Sequence, residues 1–240
     1  MTLCLDFGNT RSKLAVFNNG ELIQTLLLDD DVYTHLQQII EHYQPDHSIL
    51  SSVIEHDARI EDLLSSKTNF HKLSSTSKLP FTIPVGKPET MGADRLAIAA
   101  AAVWLCPGSH RLAIGLGSCV TFNFINSQDQ FLGGSISPGM QMRFKSMNQY
   151  TARLPLVDAS WNVPLIGYDT KTNLQSGVVL GMAREIDGII DMYQEKYGNF
   201  NALLTGGDIR IFQPHLKNKI FADPDLIFKG LYAICQINHA

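Results

Sequence analysis

The sequence predicts an α/β protein of two similar lobes with a cleft between them. Three observations predict it. Strand-like runs gather ahead of helical runs, the same pattern restarts near residue 109, and a glycine-containing turn follows the first strand of each half.

Leu3 to Asp6 reads as the first strand, Gly8 to Arg11 as a polar turn and Ser12 to Phe17 as the second strand. Asn18-Asn19-Gly20 then turns the chain into Leu22 to Leu28, because Asn and Gly readily reach the positive φ of tight hairpin turns. Val32, Leu36, Ile39, Ile40 and Tyr43 recur at helical spacing and predict a helix over 32–44. His47 to Val53 returns as a strand, and a short helix is expected near 57–65. Pro80, Pro84, Gly86 and Pro88 mark 73–90 as loop, and an alanine-rich helix from Ala93 to Leu105 stops at Pro107-Gly108. In the second half, Leu112 to Ile114 and Val120 to Ile125 are strands around a turn at Gly115 to Ser118. A turn at 126–129 and a strand from Phe131 follow. An offset of 109 lays Leu5-Asp6-Phe7-Gly8-Asn9 on Ile114-Gly115-Leu116-Gly117-Ser118, so the hairpin is duplicated. A long helix is expected over 170–197, with Gly177 and Gly181 one turn apart so that another backbone can approach. Ala202 to Thr205 is a strand ending in Gly206-Gly207, and the last helix, over 224–237, is expected to cross back toward the first lobe. The lobes are set at 1–108 and 109–240, with the cleft lined by 6–13, 115–121 and 205–208.

Composition narrows the function. Of 240 residues, 45% are hydrophobic and 18% charged, which is globular, and the net charge of -4 gives no electrostatic case for nucleic acid or an anionic membrane. No apolar run approaches the roughly 18 residues of a membrane span, and Met1 to Asp6 lacks the features of a leader. Cys4, Cys106, Cys119 and Cys235 are far apart among apolar residues, which points to free thiols in a reducing, cytoplasmic setting.

Four segments carry chemistry-bearing residues. Asp6-Phe7-Gly8-Asn9-Thr10-Arg11-Ser12-Lys13 places an acid at a strand end before a polar turn. It reads either as an ordinary hairpin or as a phosphate cradle, in which Gly8 admits an anion to backbone N–H groups, Lys13 meets its charge and Asp6 holds Mg²⁺ through water. Gly92-Ala93-Asp94-Arg95 opens a helix. Asp94 is there either a capping acid or a proton acceptor, with Arg95 beside it to orient an acceptor or neutralise phosphate. Gly206-Gly207-Asp208 follows a strand, as a plain turn or as a flat surface for adenine. In Leu132 to Gly139 the glycines and Pro138 specify turns. The eight histidines form no metal-binding spacing, and no Walker A loop or nucleophile elbow is present.

In this order, these segments resemble the type III pantothenate kinases over nearly the whole chain. Asp6 to Lys13 resembles that family's first phosphate motif, and Pro88-Glu89-Thr90-Met91-Gly92-Ala93-Asp94-Arg95 its substrate and catalytic motif. Phe131 to Met140, Asp169-Thr170 with Gln175-Ser176-Gly177, and Leu204 to Asp208 resemble three further segments, the last of them the adenosine motif. The resemblance implies two actin-like (ribonuclease H-like) lobes, a homodimer, and transfer of the ATP γ-phosphoryl group to pantothenate, the first step to coenzyme A. It implies ATP and Mg²⁺, with K⁺ or NH₄⁺ as a monovalent cation. It makes Asp94 the base. Val85, Gly92, Ala93, Asp94, Arg95 and Thr170 become the substrate-side residues, and Asp6 to Lys13, Ser118, Gly206 and Gly207 the ATP-side residues. The second phosphate motif departs from the family's D-x-G-T-A-x-T-x-D. Gly115 stands for the cation-associated Asp, so that site is expected to be lost, Ser118 for the Thr and Asn123 for the trailing Asp. Val85 stands where the family has a substrate-contacting Tyr. A kinase for another small alcohol, or a non-catalytic binding or regulatory homologue of the same fold, are the alternatives.

Overall fold

The computed structural model describes residues 1–28, 31–84 and 86–239. Its two units are residues 1–108 with 128–132 and 225–240, and residues 109–127 with 133–224.

The first unit is organised by β1 (Thr2–Phe7), which is apolar on both faces because it lies in the middle of its sheet. β2 (Ser12–Asn18) pairs antiparallel with β1, and β3 (Glu21–Leu27) antiparallel with β2. β4 (His47–Ser52) and β5 (Asn69–Lys72) add in parallel on the other side, giving the order β3-β2-β1-β4-β5. The crossovers are α1 (Val32–Tyr43), capped by the Asp31 carboxylate accepting from Thr34 N–H, and α2 (Ala58–Lys67). α1 buries Leu36, Ile39 and Ile40 beside Leu3, Leu5 and Leu50 of the sheet.

Behind the sheet lies α3 (Ala93–Leu105), buried from Leu96 to Val103. Its alanines allow α7 (Leu226–His239) to pack at backbone distance. A Cβ on Gly230 of α7 would sit 1.8 Å from the Ala97 carbonyl oxygen, so only glycine fits there. The last helix therefore belongs to the first unit, where a boundary drawn along the sequence assigned it to the second. Burial of Phe228, Leu231, Ile234 and Cys235 holds it there.

The far end of α7 brings His239 into a stack on His47 of β4, ring centroids 4.9 Å apart, with His71 of β5 edge-on at 6.1 Å. Burial lowers the pKa of both His71 and His239, and neighbouring histidines lower them further. The unfolded chain therefore takes up these protons first as pH falls. The contribution of these two histidines to stability is flat above the ordinary histidine range and declines below about pH 6.5. His239→Phe, which keeps a stacked ring but binds no proton, is expected to flatten that decline in thermal melts between about pH 7 and pH 5.

The second unit repeats the pattern. β6 (Arg111–Leu116), β7 (Cys119–Ile125), β8 (Phe131–Pro138), β9 (Asn201–Gly206) and β10 (Phe221–Ala222) form a sheet in the order β10-β9-β6-β7-β8. β6 is antiparallel to β7 and parallel to β9, as β1 is to β2 and β4. The offset of 109 lays all of β1 on all of β6. Gly115 and Leu116 continue the strand instead of forming the expected turn, because they stay in register with Thr121 and Val120. The turn shrinks to Gly117-Ser118, closed by Gly117 N–H donating to the Cys119 carbonyl at 3.0 Å.

Gly133 and Gly134 also lie within a strand and not in a turn. A Cβ on Gly134 would fall 1.8 Å from the Phe122 carbonyl oxygen, so close strand approach is what requires that glycine. α4 (Met140–Gln149) follows, unanticipated from sequence because its apolar anchors are only Met140 and Phe144. α5 (Thr170–Tyr197) spans the expected residues and opens with a capping box between Asp169 and Thr172. A short helical turn, α6 (Ile209–Phe212), precedes β10.

Candidate active site

β1 delivers Asp6 to its C-terminal end, in register with Lys13 of β2 on one side and Ser51 of β4 on the other. Residues opposite one another in a sheet share a face, so these side chains are neighbours. The Ser51 hydroxyl donates to Asp6 Oδ1 at 3.3 Å. The Asp6 carboxyl is pushed up to about 6 by burial first and the Asp94 carboxylate second, while Ser51 and Lys13 oppose the rise.

Asp94 comes from the start of α3, capped by Gly92 through its backbone alone. A Cβ on Gly92 would lie 2.5 Å from Asp94 Oδ1, so the glycine makes room for this carboxylate to fold back over the helix start. Asp94 thus lies in the first turn of α3, and its charge acts on Asp6. Ala93 is the first helical residue. Arg95 places its guanidinium 5.7 Å from the Phe131 ring centroid, a cation–π contact that fixes its direction. Burial lowers its pKa, with Asp94 opposing, so it is a partly desolvated cation beside that acid.

Phe7 is buried against the edge of His56, centroids 5.3 Å apart, and anchors the turn that follows. Gly8 N–H donates to the Arg11 carbonyl at 3.2 Å, which closes the turn and occupies the donor expected to face an anion. Asn9, Thr10 and Arg11 are exposed, and Ser12 and Lys13 half-buried. Val85 lies outside the described residues.

In the second unit Gly115 occupies the register position of Asp6, opposite Thr121 and Thr205, and offers no carboxylate. Asn123 is fully buried and donates its amide to the Ala113 carbonyl at 3.1 Å, a bond an aspartate could not make in ionised form. The Ser118 carbonyl accepts from Gly139 N–H at 3.1 Å, which ties the turn to the end of β8. Gly206 has φ +116°, and a Cβ there would lie 2.0 Å from the Leu116 carbonyl oxygen, so packing of β9 on β6 accounts for it. Gly207 faces open space, the half of the pair with room for a flat ligand. Thr170 is exposed at the first position of α5, beside a cavity of about 430 Å³ lined by Asp158, Tyr168, Asp169, Lys171 and Gln175 among others.

Sequence reasoning missed Ser51 and Phe131 as parts of the site. Ser51 was visible as the inward member of a Ser-Ser pair at a strand end, but only the β1–β4 register aims it at Asp6. Among the described residues no group of three or more His, Cys, Asp or Glu could cage a metal ion. Asp6, at the end of β1 beside a polar turn, fits a Mg²⁺ ion that takes its other ligands from water and nucleotide phosphate. Gly115 and Asn123 provide no anionic ligand for a monovalent cation.

The family model of the type III pantothenate kinases matches residues 2–192. The chain belongs to that family. A type III pantothenate kinase from Phocaeicola vulgatus is 40% identical over 239 residues, covering 99% of each chain. Members are ATP-dependent kinases, and the enzyme class follows for this chain. A Campylobacter jejuni protein provisionally described as a Baf family transcriptional activator superposes with TM-score 0.59 at 22% identity, covering 99% of this chain and 98% of its own. A Sinorhizobium meliloti protein provisionally described as a 2-dehydro-3-deoxygalactonokinase superposes with TM-score 0.58 at 13% identity, covering 99% of each. These two likenesses concern the fold, which is the actin-like one found in sugar kinases.

Proposed function

We propose that this enzyme moves the γ-phosphoryl group of ATP to the primary hydroxyl of pantothenate, giving 4'-phosphopantothenate, the first step of coenzyme A biosynthesis. The observation that carries the reading is that Asp6 ends β1 in register with Lys13 and Ser51, while Asp94 stands in the first turn of α3 and its charge acts on Asp6. In the proposed assignment Asp94 accepts the hydroxyl proton as the oxygen attacks. A weak base suffices, since the transition state of phosphoryl transfer is loose and positioning dominates. Gly92, Ala93 and Arg95 hold the acceptor, with Val85 and Thr170 as the remaining substrate contacts. Asp6, with the turn through Lys13, Ser118, Gly206 and Gly207, holds the nucleotide. Asp6 would bind Mg²⁺, which screens phosphate charge when present. A cytoplasmic location fits the lack of a disulfide among the described cysteines, and no described helix is long and apolar enough to cross a membrane.

The test is ATP-dependent phosphorylation of pantothenate, with and without K⁺ or NH₄⁺. Turnover with little stimulation by either cation is the expected result, because Gly115 supplies no carboxylate. The same missing charge favours the second reading, a non-catalytic homologue. That reading prevails if the folded protein transfers no phosphate to pantothenate or to other small alcohols under any cation.

The enzyme is further proposed to be a homodimer. Leu165, Ile166 and Tyr168 are each more than 80% exposed, and Cβ atoms on Gly177 and Gly181 of α5 would meet nothing within 4 Å. Such an apolar patch beside a bare helix face is costly to leave in water. Sedimentation at micromolar concentration is expected to give a dimer, and Leu165→Asp with Ile166→Asp a monomer.

A further inference from the structure

Two serines end β4, and the strand's alternation sends them opposite ways. The Ser52 hydroxyl donates to the Ile54 carbonyl at 2.8 Å and meets His56 Nδ1 at 3.1 Å, so it shapes the following loop. Ser51 is fully buried, and its hydroxyl donates to Asp6 Oδ1. A buried hydroxyl must be satisfied, and here the acid satisfies it. The duplicated unit supplies an internal comparison. At the matching register, Gly115 faces Thr205, also buried. With no acid opposite, the Thr205 hydroxyl turns to the Pro224 carbonyl at 3.5 Å. The sheet thus presents a hydroxyl at this position in both units, and it bonds a carboxylate only where one exists.

We propose that Ser51 is a positioning residue for the metal–nucleotide site, fixing the Asp6 carboxylate in the direction from which it meets Mg²⁺ and phosphate. The inference rests on the assignment of Asp6 made above. Partners behind a metal-binding group typically contribute 10–100-fold to metal affinity, because an unheld carboxylate must be ordered at the moment of binding. Ser51 touches neither substrate nor metal in this role. Its loss should therefore act on binding and leave the chemical step nearly intact.

The experiment is calorimetric titration with Mg²⁺ and a non-hydrolysable ATP analogue, alongside steady-state kinetics. Ser51→Ala is expected to weaken analogue binding about tenfold and to raise the KM for ATP by a similar factor, with kcat within about threefold of wild type. Ser51→Thr should restore affinity, since the matching site already accommodates a buried threonine. Ser51→Cys, of similar size but a weak donor, should lie between alanine and wild type, and it serves if the alanine variant folds poorly. Ser48→Ala, which removes another buried hydroxyl of β4 bonded to Thr68, should leave analogue affinity unchanged. Ser51→Ala binding within twofold of wild type, while Asp6→Asn binds weakly, overturns the inference and spares the site assignment. Asp6→Asn binding as well as wild type overturns both.

Discussion

Asp94→Asn is expected to lower kcat by about 10²–10⁴-fold, the usual range for a lost general base, with nucleotide affinity nearly unchanged. The argument is geometric. Gly92 leaves space for the Asp94 carboxylate over the start of α3, and Arg95 is held beside it by the Phe131 ring. Asparagine keeps the size and the helix start but cannot take a proton. Asp94 also contributes to the raised pKa of Asp6, so Asp94→Asn should let Asp6 ionise at lower pH. Rapid-quench measurement of the first turnover separates a chemical defect from slow product release. Full activity in the Asn variant would remove Asp94 from the role of base while leaving family membership untouched.

Asp6→Asn is expected to abolish tight metal–nucleotide binding and, at the same time, to stabilise the fold. The folded-state pKa is about 6 against an ordinary 3.8, so ionised Asp6 is disfavoured by its surroundings. The sign follows from linkage. Above about pH 6 the carboxylate is charged in both states and the folded state bears the full penalty, while below about pH 4 it is neutral in both and the penalty is gone. A shift of this size corresponds to about 1–3 kcal/mol, or roughly 3–10 °C in melting temperature for a chain this long. Calorimetry should therefore show the Asn variant melting higher than wild type at pH 8 and equal to it near pH 4. Equal melting at pH 8 would mean that Asp6 is not under strain, and unchanged Mg²⁺–nucleotide binding that it is not the metal's partner. Stability given up at a charged site is common in enzymes.

The sequence by itself determined the two-lobe α/β plan, the hairpin duplication at an offset of 109 and the bounds of α5, and it singled out the acids at 6 and 94 as candidates. These are local signals: apolar periodicity, glycine and asparagine at turns, a capping residue before a helix. Weakly anchored elements escaped it. β5 and β10 are only four and two residues long, and α4 buries little more than Met140 and Phe144. Tertiary structure decided what each glycine is for. Gly134, Gly206 and Gly230 are required because a carbonyl from another element lies where a Cβ would stand, whereas Gly207 faces open space. It also decided that Gly230 of α7 meets α3 at backbone distance and that Ser51 meets Asp6. Both depend on which strands and helices become neighbours, and burial of the whole core sets that choice, which no local run of residues records.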